Sequence, residues 1–542
     1  MRKTKRILSA VALAAAGAIA LAACSSGGSS GTSSASTFVI VTAAQPQSFS
    51  YETSATGYEA AEFFMNTGAT LIRNKYVAGT GGQSEHEDYN DFTGVLAKSY
   101  DVSSDGLTYT FHLNTKAKST SGDALNAQDV VWSMDRKFKT ATSIVSFVSA
   151  PFITSPTQWK AVNDSTVTLT VAKKSYGYTA LSLLSNVPYN IYDATLLKKH
   201  ATASDPYAVK WSGTHANFGF GAYKLSSYTP GEQMVYTANT GYALGTPKVT
   251  RIVQRVVADA GTRANLVKSG DAQIAVQLRP ADQVSLAKAK SATIFTVPTN
   301  AYVYMPLLTS SGVFKDVNVR RALAYAIPYD AIDKNVYHGR ATPNSTIISS
   351  TDPGFDSSGL KANTTDPAKA KSILAAAGYK SPINFTLTVN NSVPDLDEAA
   401  VQIQTAVKAA GFNMTINQVN SSAFQAGLAA KTFAASLQRD YAVVQSPPYV
   451  LSLFYTPKSP INWPDFTNQN LISAIAAGNN AGVPTSVAAG KEWNAAQKVL
   501  QDQMPTIYIN YVQPLNAFAN NVKGYVYRSD NVLDYSQLSV SK

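Results

Sequence analysis

Apolar and polar positions along this chain repeat with two periods, one typical of strands and one typical of helices. Residues 38–41 form a short apolar run typical of a buried strand, whereas residues 107–113 and 166–171 alternate apolar and polar side chains as half-buried strands do. Residues 127–138 instead repeat their apolar positions with helical spacing, and Asn126 before them is a favoured capping residue. The first half of the chain is therefore predicted to mix strands with helices.

The second half shows a regular succession of helix and strand. An Asp-Pro pair at 366–367 is typical of a helix start, and this helix is predicted to end at Gly378. Residues 384–389 then alternate as a strand, residues 395–410 have a helical pattern, and residues 414–419 form another strand. Such a succession favours an α/β sheet over a sandwich of two sheets.

The amino terminus has the pattern of an export signal. Residues 1–6 are basic, residues 7–21 are small and apolar, and small residues precede Cys24, which is the sole cysteine of the chain. The Leu-Ala-Ala-Cys string ending at Cys24 resembles the bacterial lipobox, so residues 1–23 are predicted to be a lipoprotein signal peptide and Cys24 to be lipidated. Residues 24–36 are rich in Ser and Gly and predict a flexible tether. The alternative is a soluble secreted protein whose cysteine is incidental.

Composition and charge narrow the class of protein. A chain of 542 residues suggests two to four domains, and 45% hydrophobic with 15% charged residues is enough for a large core. The formal net charge is +11, but no stripe of Lys and Arg with interleaved aromatics occurs, which argues against a nucleic-acid partner. A single cysteine excludes disulfides within the chain and thiolate metal clusters. An exported protein has no ATP or reduced nicotinamide available, so no cofactor is expected.

Short strings that resemble catalytic motifs occur, but they do not combine into a site. Gly27–Gly31 matches a nucleophile elbow but lies in the tether, without a strand before it or a helix after it. Ser285–Lys288 and Ser529–Asn531 resemble two elements of penicillin-recognising enzymes, while the third element is missing and the spacing is too long. No HExxH pair, Walker loop or metal-binding cluster is present, and the five histidines are scattered: His86, His112, His200, His215 and His338.

Several longer blocks carry a resemblance to a known family. Residues 96–113 (LAKSYDVSSDGLTYTFHL) and 121–133 (SGDALNAQDVVWS) are similar to a conserved stretch of the solute-binding proteins of peptide/nickel ABC importers, solute-binding family 5. Residues 219–274, beginning GFGAYKLSSYTPGE, and residues 314–343, with FKDVNVRRALAYAI, resemble later blocks of the same family, as does DPAKAKSILAAAGY. The blocks follow one another in the family's order over nearly the whole mature chain.

This resemblance implies an α/β fold of the periplasmic-binding-protein type, in its type II, three-subdomain form. Two lobes would close around a hinge on a ligand that contacts both, so that ligand shifts the population toward the closed state. Strands near Tyr302–Leu308 and Ile507–Val512 are expected to cross between the lobes. The expected boundaries are these: residues 37–75, 215–306 and 512–542 for lobe I, 76–214 for its inserted subdomain, and 307–511 for lobe II.

The resemblance also suggests where a peptide would bind. In peptide binders of this family the ligand's α-amine meets a carboxylate in an Asp-Tyr pair, and Asp440 and Tyr441 match that pair. A buried ammonium needs such a partner because an unpaired buried charge is costly. The alternative for Asp440 is a surface carboxylate paired with Arg439. The remaining candidate ligand-binding residues are aromatic and could equally be simple core: Tyr449 and Trp463 near the pair, and Tyr58 at the end of the segment 45–58 that follows the first strand.

The function expected from these features is capture rather than catalysis. The protein would be an extracytoplasmic lipoprotein, monomeric, anchored by Cys24 to the outer face of the bacterial membrane, that delivers di- or oligopeptides to an ABC permease of two membrane subunits with ATPases. Ser446-Pro447 replaces the acidic-Pro pair usual after Asp-Tyr, and Leu308 replaces the usual Asn. Relatives that carry nickel chelates, oligosaccharides or other solutes therefore remain alternatives, as does a lipid-anchored hydrolase.

Overall fold

The computed structural model of the protein describes residues 37–53, 57–380, 382–457 and 459–541. The predicted signal peptide, the tether and Cys24 lie outside this part of the chain. Within it, no helix combines the length and the apolar character needed to span a bilayer.

The strands, in chain order, are β1 (Phe38–Thr42), β2 (Ile72–Val77), β3 (Glu85–Gly94), β4 (Ala97–Val102), β5 (Thr108–Leu113), β6 (Trp159–Asn163), β7 (Thr166–Thr170), β8 (Tyr223–Thr229), β9 (Gln233–Ala238), β10 (Arg251–Val256), β11 (Ile274–Ala275), β12 (Ala301–Pro306), β13 (Ala341–Pro343), β14 (Ile383–Asn390), β15 (Phe412–Val419), β16 (Ala435–Ser436), β17 (Gln438–Tyr441), β18 (Thr506–Val512), β19 (Ala517–Phe518), β20 (Val522–Lys523), β21 (Val526–Tyr527) and β22 (Ser539–Val540).

The helices are α1 (Tyr58–Thr67), α2 (Ala127–Lys139), α3 (Val145–Val148), α4 (Gly177–Leu184), α5 (Ala194–Lys199), α6 (Val209–Thr214), α7 (Ala260–Ser269), α8 (Pro280–Lys288), α9 (Val317–Ala326), α10 (Tyr329–Ile332), α11 (Pro367–Ala376), α12 (Pro394–Val407), α13 (Ser421–Ala429), α14 (Pro447–Tyr455), α15 (Gln469–Asn480) and α16 (Val487–Gln503).

A six-stranded sheet organises the first part of the chain. Its order is β19-β11-β1-β10-β9-β8, and β1 lies inside it, parallel to both β10 and β11. The run FVIVT of β1 is buried almost throughout, as expected for a strand with neighbours on both sides. The carboxyl-terminal segment returns to this sheet through β19, which pairs with β11.

A separate antiparallel sheet, of order β4-β5-β7-β6, carries helix α2 beside it. The helix begins where the sequence predicts, because Asn126 Oδ1 accepts a hydrogen bond from Gln128 N at 2.8 Å and Asp129 Oδ2 accepts one from Asn126 N at 2.9 Å. The predicted strands at 107–113 and 166–171 correspond to β5 and β7. This sheet lies within the segment 76–214 that is expected to be an inserted subdomain.

A parallel sheet organises the second half, as the succession of elements predicts. Strand β14 runs parallel to β15 and to β16, and α12 connects β14 with β15. Helix α11 has Asp366 as its amino-terminal cap and Pro367 in its first turn, as predicted from the Asp-Pro pair. Apolar residues of these strands and of α9, α11 and α12 form one core cluster.

A further sheet, of order β13-β18-β12-β17, connects the two halves and positions the candidate site. Strand β12 is buried along its whole length, and its residues alternate between two cores. Ala301, Val303 and Met305 belong to the core of the second half, whereas Tyr302 and Tyr304 belong to the large cluster that includes the first sheet. Strands β12 and β18 are those expected to cross between the lobes, although β12 ends at Pro306, before Leu308.

Candidate functional site

One face of the connecting sheet carries a row of polar and aromatic residues. Asp440 on β17 is paired with Tyr302 on β12, and Tyr302 is paired with Tyr511 on β18. Paired residues project from the same face of a sheet, and two strand spacings separate Asp440 from Tyr511 by about 10 Å between backbones. The row therefore places a carboxylate at one end of an aromatic surface.

The carboxylate of Asp440 has hydrogen-bond donors but no cation. Its Oδ1 accepts a hydrogen bond from Tyr441 N at 2.8 Å, and its Oδ2 accepts a long one from the Tyr304 hydroxyl at 3.4 Å. Arg439 does not pair with it, because adjacent strand residues point to opposite faces. Arg439 Nη1 instead donates to Asp395 Oδ2 at 2.7 Å. Among the described residues, no ion pair involves Asp440.

The surroundings of Asp440 favour binding of a cationic group of a ligand. Burial raises the pKa of Asp440 to about 6, and the hydrogen bonds from Tyr441 N and Tyr304 oppose this only in part. A half-buried carboxylate without a counter-charge is stabilised by any ammonium that reaches it, since the pair removes an otherwise uncompensated charge. Asp440 therefore has the properties expected of a carboxylate that pairs with a cation supplied by a ligand.

Aromatic rings surround the carboxylate on this face. The rings of Tyr302 and Tyr304 lie 5.2 Å apart, and Tyr304 stacks on Tyr508 at 6.1 Å. The hydroxyls of Tyr455 and Tyr508 are hydrogen bonded at 2.8 Å, whereas the buried Tyr302 hydroxyl has no partner among the described residues. These four rings are buried in the structure, where they form an apolar wall that carries a few hydroxyl groups.

Two of the other residues named from the sequence lie at this same face. Tyr449, in α14, is buried, and Asp440 adds to burial in raising its pKa. Trp463 is half-buried and lies near the Tyr304 hydroxyl. Burial and Asp440 raise the pKa of Tyr304, and a hydrogen bond with Trp463 opposes that rise in part. Tyr449 and Trp463 therefore lie with Asp440 at that end of the row.

Tyr441 and Tyr58 lie elsewhere, although they lie beside each other. Both line a cavity of about 150 Å³ whose other walls include Arg439, Gln277 and Asn531. Tyr441 projects from the face opposite to Asp440 and packs against the core of the second half. Of the five residues named from the sequence, three thus lie at the row, and the other two line this separate cavity.

The segment after β1 contributes a residue that the sequence did not single out, Tyr51. It is buried, packs edge-on against Phe64 at 5.4 Å, and Tyr449 adds to burial in raising its pKa. Tyr51 therefore faces α14 from the first half of the chain. The sequence indicated the whole segment 45–58 but favoured Tyr58 within it.

A buried ion cluster holds this segment in place. Glu52, next to Tyr51, accepts a hydrogen bond from Arg136 Nη2 at 2.8 Å and lies 4.0 Å from Lys137 Nζ. Burial raises the pKa of Glu52, but Arg136 and Lys137 outweigh it and set the pKa at about 2. Burial lowers the pKa of Lys137 to about 7. The two cations of α2 thus fix the backbone that carries Tyr51.

Comparison with known proteins identifies the family. Residues 91–461 match the sequence profile described as bacterial extracellular solute-binding proteins, family 5 middle. The chain belongs to this family. It is 31% identical over 305 residues to the glutathione-binding protein GsiB of Pectobacterium atrosepticum, a match over 55% of each chain. It is 24% identical over 444 residues to GsiB of Escherichia coli K12, covering 80% of this chain and 83% of that protein.

Solved structures of family 5 confirm the two-lobed α/β fold. The Helicobacter pylori periplasmic binding protein DppA in complex with the peptide STSA has a TM-score of 0.78 and 19% identity, covering 93% of this chain and 98% of that one. The Escherichia coli murein tripeptide binding protein MppA has a TM-score of 0.76 at 19% identity, over 93% and 98%. This solute-binding protein of the ABC-importer type therefore has the fold that its sequence blocks imply.

The described residues of this solute-binding protein hold no group of three His, Cys, Asp or Glu side chains placed to bind a metal ion. The two strings that resemble penicillin-recognising enzymes have unrelated environments. Ser285 is exposed on α8, whereas the buried Ser529 donates its hydroxyl to Val443 O at 3.1 Å and Asp530 pairs with Arg528. Neither serine is hydrogen bonded to a basic side chain among the described residues, as a nucleophile would be.

Proposed function

We propose that this protein captures peptides outside the cell and delivers them intact to an ABC permease. The observation that carries the proposal is the Asp440 carboxylate, which lacks a cation and faces an aromatic wall at the row. The α-ammonium of a peptide supplies that cation, and a charge-assisted contact of this kind is worth about 1.5–3 kcal/mol. The peptide's side chains would lie against the tyrosines.

The position of β17 favours an extended peptide. This strand is the last in the order β13-β18-β12-β17, so one of its edges is not paired within that sheet. A peptide can add to such an edge through main-chain hydrogen bonds, which do not depend on its side-chain sequence. With its amine at Asp440, the peptide would run along this edge of β17, beside the Asp440 end of the row.

Closure of the two lobes would bury the peptide. In the structure, hydrogen bonds join the two proposed lobes near the row: Tyr178 Oη donates to Gln445 O at 3.0 Å, and the hydroxyls of Thr179 and Ser446 lie 2.7 Å apart. A peptide that touches both lobes adds its own contacts to these and so favours closure. The expected boundaries, with 307–511 as lobe II, and the crossing strands β12 and β18 as hinge are part of this proposal.

Lipid anchoring would keep the captured peptide near its transporter. In this proposal residues 1–23 are removed, Cys24 is acylated, and residues 24–36 tether a monomer to the outer face of the bacterial membrane. The protein then acts without cofactor and without chemistry of its own. Replacement Cys24→Ala tests the anchor, since the variant is expected in the medium, and its retention on membranes would contradict lipidation.

The peptide site is tested by calorimetry with matched ligands. The panel holds a dipeptide, a tripeptide, an oligopeptide and glutathione, because two relatives are named for glutathione and its γ-glutamyl group keeps a free amine. Asp440→Asn is expected to weaken binding at least tenfold, and N-acetylation of the peptide is expected to have the same effect. The two losses should not add, because both remove one ion pair.

The control variant is Asp271→Asn, which removes an exposed carboxylate outside the row. Equal affinity of the wild type and Asp440→Asn for every ligand would contradict the amine site. Recovery of a cleaved peptide from the complex would favour the hydrolase alternative, whereas recovery of intact peptide by native mass spectrometry supports capture.

A further inference from the structure

A cavity of about 420 Å³ lies between α9, α11 and the end of α16, roofed by the loop 359–364. It shares no lining residue with the row or with the cavity of Tyr58 and Tyr441. Its size falls within the range of about 300–1,000 Å³ that is typical of small-molecule sites. The proposed peptide function leaves this cavity unused.

Cationic side chains dominate its polar lining: Arg321, Lys361, Lys369 and Lys498. Arg321 is oriented by the hydrogen bond of its Nε to Asp502 O at 2.7 Å. The Lys369 ammonium lies 4.4 Å above the ring of Tyr325, another lining residue. The end of Lys498 lies next to Gly359 in the roof. The four cations therefore converge from four elements, namely α9, the loop 359–364, α11 and α16.

The four cations are not in ion pairs within the described residues, although Asp356 lies near Lys498 and Asp366 near Lys369. None of them forms an ion pair with a carboxylate in the part of the chain that the structure describes. Of the residues that the structure describes, Asp502 is the one acid that lines the cavity, and it is exposed. Four unpaired cations around a concave surface create a positive potential that concentrates anions. A ligand with several negative charges gains most from it.

Part of the remaining lining is apolar, and part of the roof is held by hydrogen bonds, which favours a preformed site. Ala324, Ile373 and Met504 give part of the wall an apolar surface. The side chain of Gln501 holds the roof, because its Oε1 accepts a hydrogen bond from Lys361 N at 3.0 Å and its Nε2 donates to Lys361 O at 2.8 Å. A preformed cavity binds without the cost of ordering a loop.

We propose that this cavity binds an anionic ligand that carries phosphate groups with at least two negative charges. Guanidinium and ammonium groups at convergent positions are the donors that phosphate oxygens prefer, and the apolar wall suits an attached organic part. Two sources could supply this chemistry outside the cell, a soluble phosphorylated molecule or the headgroup of an anionic lipid. The site is independent of what the row binds.

The test uses inorganic pyrophosphate as the soluble probe, titrated at fixed ionic strength into the full protein. The cavity variant is Lys361→Gln/Lys369→Gln/Lys498→Gln, and the charge-matched control is Lys160→Gln/Lys224→Gln/Lys248→Gln, whose lysines are exposed and line no described cavity. The wild type and the control are expected to bind pyrophosphate equally, and the cavity variant at least tenfold more weakly. The single variant Lys369→Gln, expected to weaken binding several-fold, replaces the triple one if that fails to fold.

The second arm separates the two sources, using vesicles of cardiolipin, whose headgroup carries two phosphates, with phosphatidylcholine and vesicles of phosphatidylcholine alone. Binding to the anionic vesicles that is lost in the cavity variant supports a lipid headgroup, and binding to pyrophosphate alone supports a soluble ligand. Binding to neither probe, or equal losses in the cavity and control variants, would overturn the proposal. Peptide affinity should stay unchanged in the cavity variant, so failure here is distinct from failure of the peptide site.

Discussion

At the residue scale, Asp440 links peptide affinity to pH. Burial raises its pKa to about 6, and only the ionised carboxylate pairs with an ammonium. The fraction ionised rises about tenfold between pH 5 and pH 7.5, so affinity for a peptide should rise by about the same factor. Calorimetry at pH 5, 6 and 7.5 measures this, and Asp440→Asn should remove the dependence. An affinity that falls with rising pH would contradict the assignment.

Asp352 predicts a pH effect of its own on stability. It is 4% exposed, and neither carboxylate oxygen has a hydrogen-bond partner among the described residues. Burial raises the pKa of Asp352 well above the ordinary value. The hydroxyls nearby are those of Tyr89, Tyr178 and Tyr511, and Asp352 adds to burial in raising their pKa values. The folded protein therefore holds a proton that the unfolded chain loses near pH 4.

Because the folded protein holds this proton to a higher pH than the unfolded chain does, rising pH lowers the stability that Asp352 contributes. The stability contributed by protonated Asp352 is complete below the ordinary pKa of about 3.9 and is lost as the pH rises toward the raised pKa. Asp352→Asn should therefore unfold at a higher temperature than the wild type at pH 7.5 and at nearly the same temperature at pH 4. Scanning calorimetry checks both, with Asp271→Asn as control. A variant that is less stable at both pH values would show that Asp352 makes contacts which Asn cannot replace.

These two carboxylates show what the sequence reveals about single residues. Asp440 is found because a neighbouring tyrosine places it in a known motif, although its lack of a cation depends on the pairing of Arg439 with Asp395. Asp352 lies in a stretch of turn-forming residues, and its burial depends on tyrosines 263 and 174 positions earlier in the chain. Tyr51 was missed for the same reason, since distant Arg136 and Lys137 fix its segment.

At the scale of elements, local sequence signals are sufficient to predict where helices begin, but they do not predict which distant strands pair. The caps at Asn126 and Asp366 predict the starts of α2 and α11, because capping depends on residues within one turn. The pairing of β12 with β17 and β18 joins segments more than 130 residues apart, and no local pattern specifies it. The four-residue strand β17 is too short for an alternation signal, yet it carries Asp440.

The contact between α4 and the start of α14 makes a prediction at this scale. Tyr178 Oη donates to Tyr89 O at 2.7 Å and to Gln445 O at 3.0 Å, and both carbonyls belong to buried residues. Tyr178→Phe leaves them unsatisfied, at a cost of about 1–3 kcal/mol. Tyr89 O lies in the same proposed lobe as Tyr178, so its loss of a donor affects the open and the closed state alike. Gln445 O lies in the other proposed lobe, so if the two lobes separate on opening, the cost at this carbonyl falls on the closed state alone. Peptide affinity should then drop about fivefold or more, although Tyr178 is outside the proposed amine site.

Calorimetry measures this loss of affinity, and the matched control is Tyr228→Phe. Tyr228 is 40% exposed, and its hydroxyl forms no hydrogen bond within the described residues. Affinity that is equal in Tyr178→Phe and the wild type would mean that the contact between α4 and α14 is present in the open state as well.

At the scale of the whole molecule, the fold follows from the ordered sequence blocks, whereas the division into lobes follows from packing. Two separate core clusters meet at the connecting sheet, and β12 contributes alternate residues to each. A sequence pattern identifies β12 as buried on both faces but does not say that its faces belong to different cores. The expected boundaries at 306–307 and 511–512 fall at the ends of the strands that join the cores, and they remain predictions.

This arrangement predicts that a peptide compacts the molecule. Because the tyrosines of β12 and β18 face the large cluster while Tyr51 approaches from the first half, a ligand at the row touches both halves and favours closure. Small-angle scattering should show a smaller radius of gyration when saturating peptide is added to the wild type. At the peptide concentration that half-saturates the wild type, Asp440→Asn should stay largely extended, and it should compact to the same degree only at a concentration at least tenfold higher. Profiles that are identical with and without every peptide that calorimetry shows to bind would mean that binding needs no hinge motion.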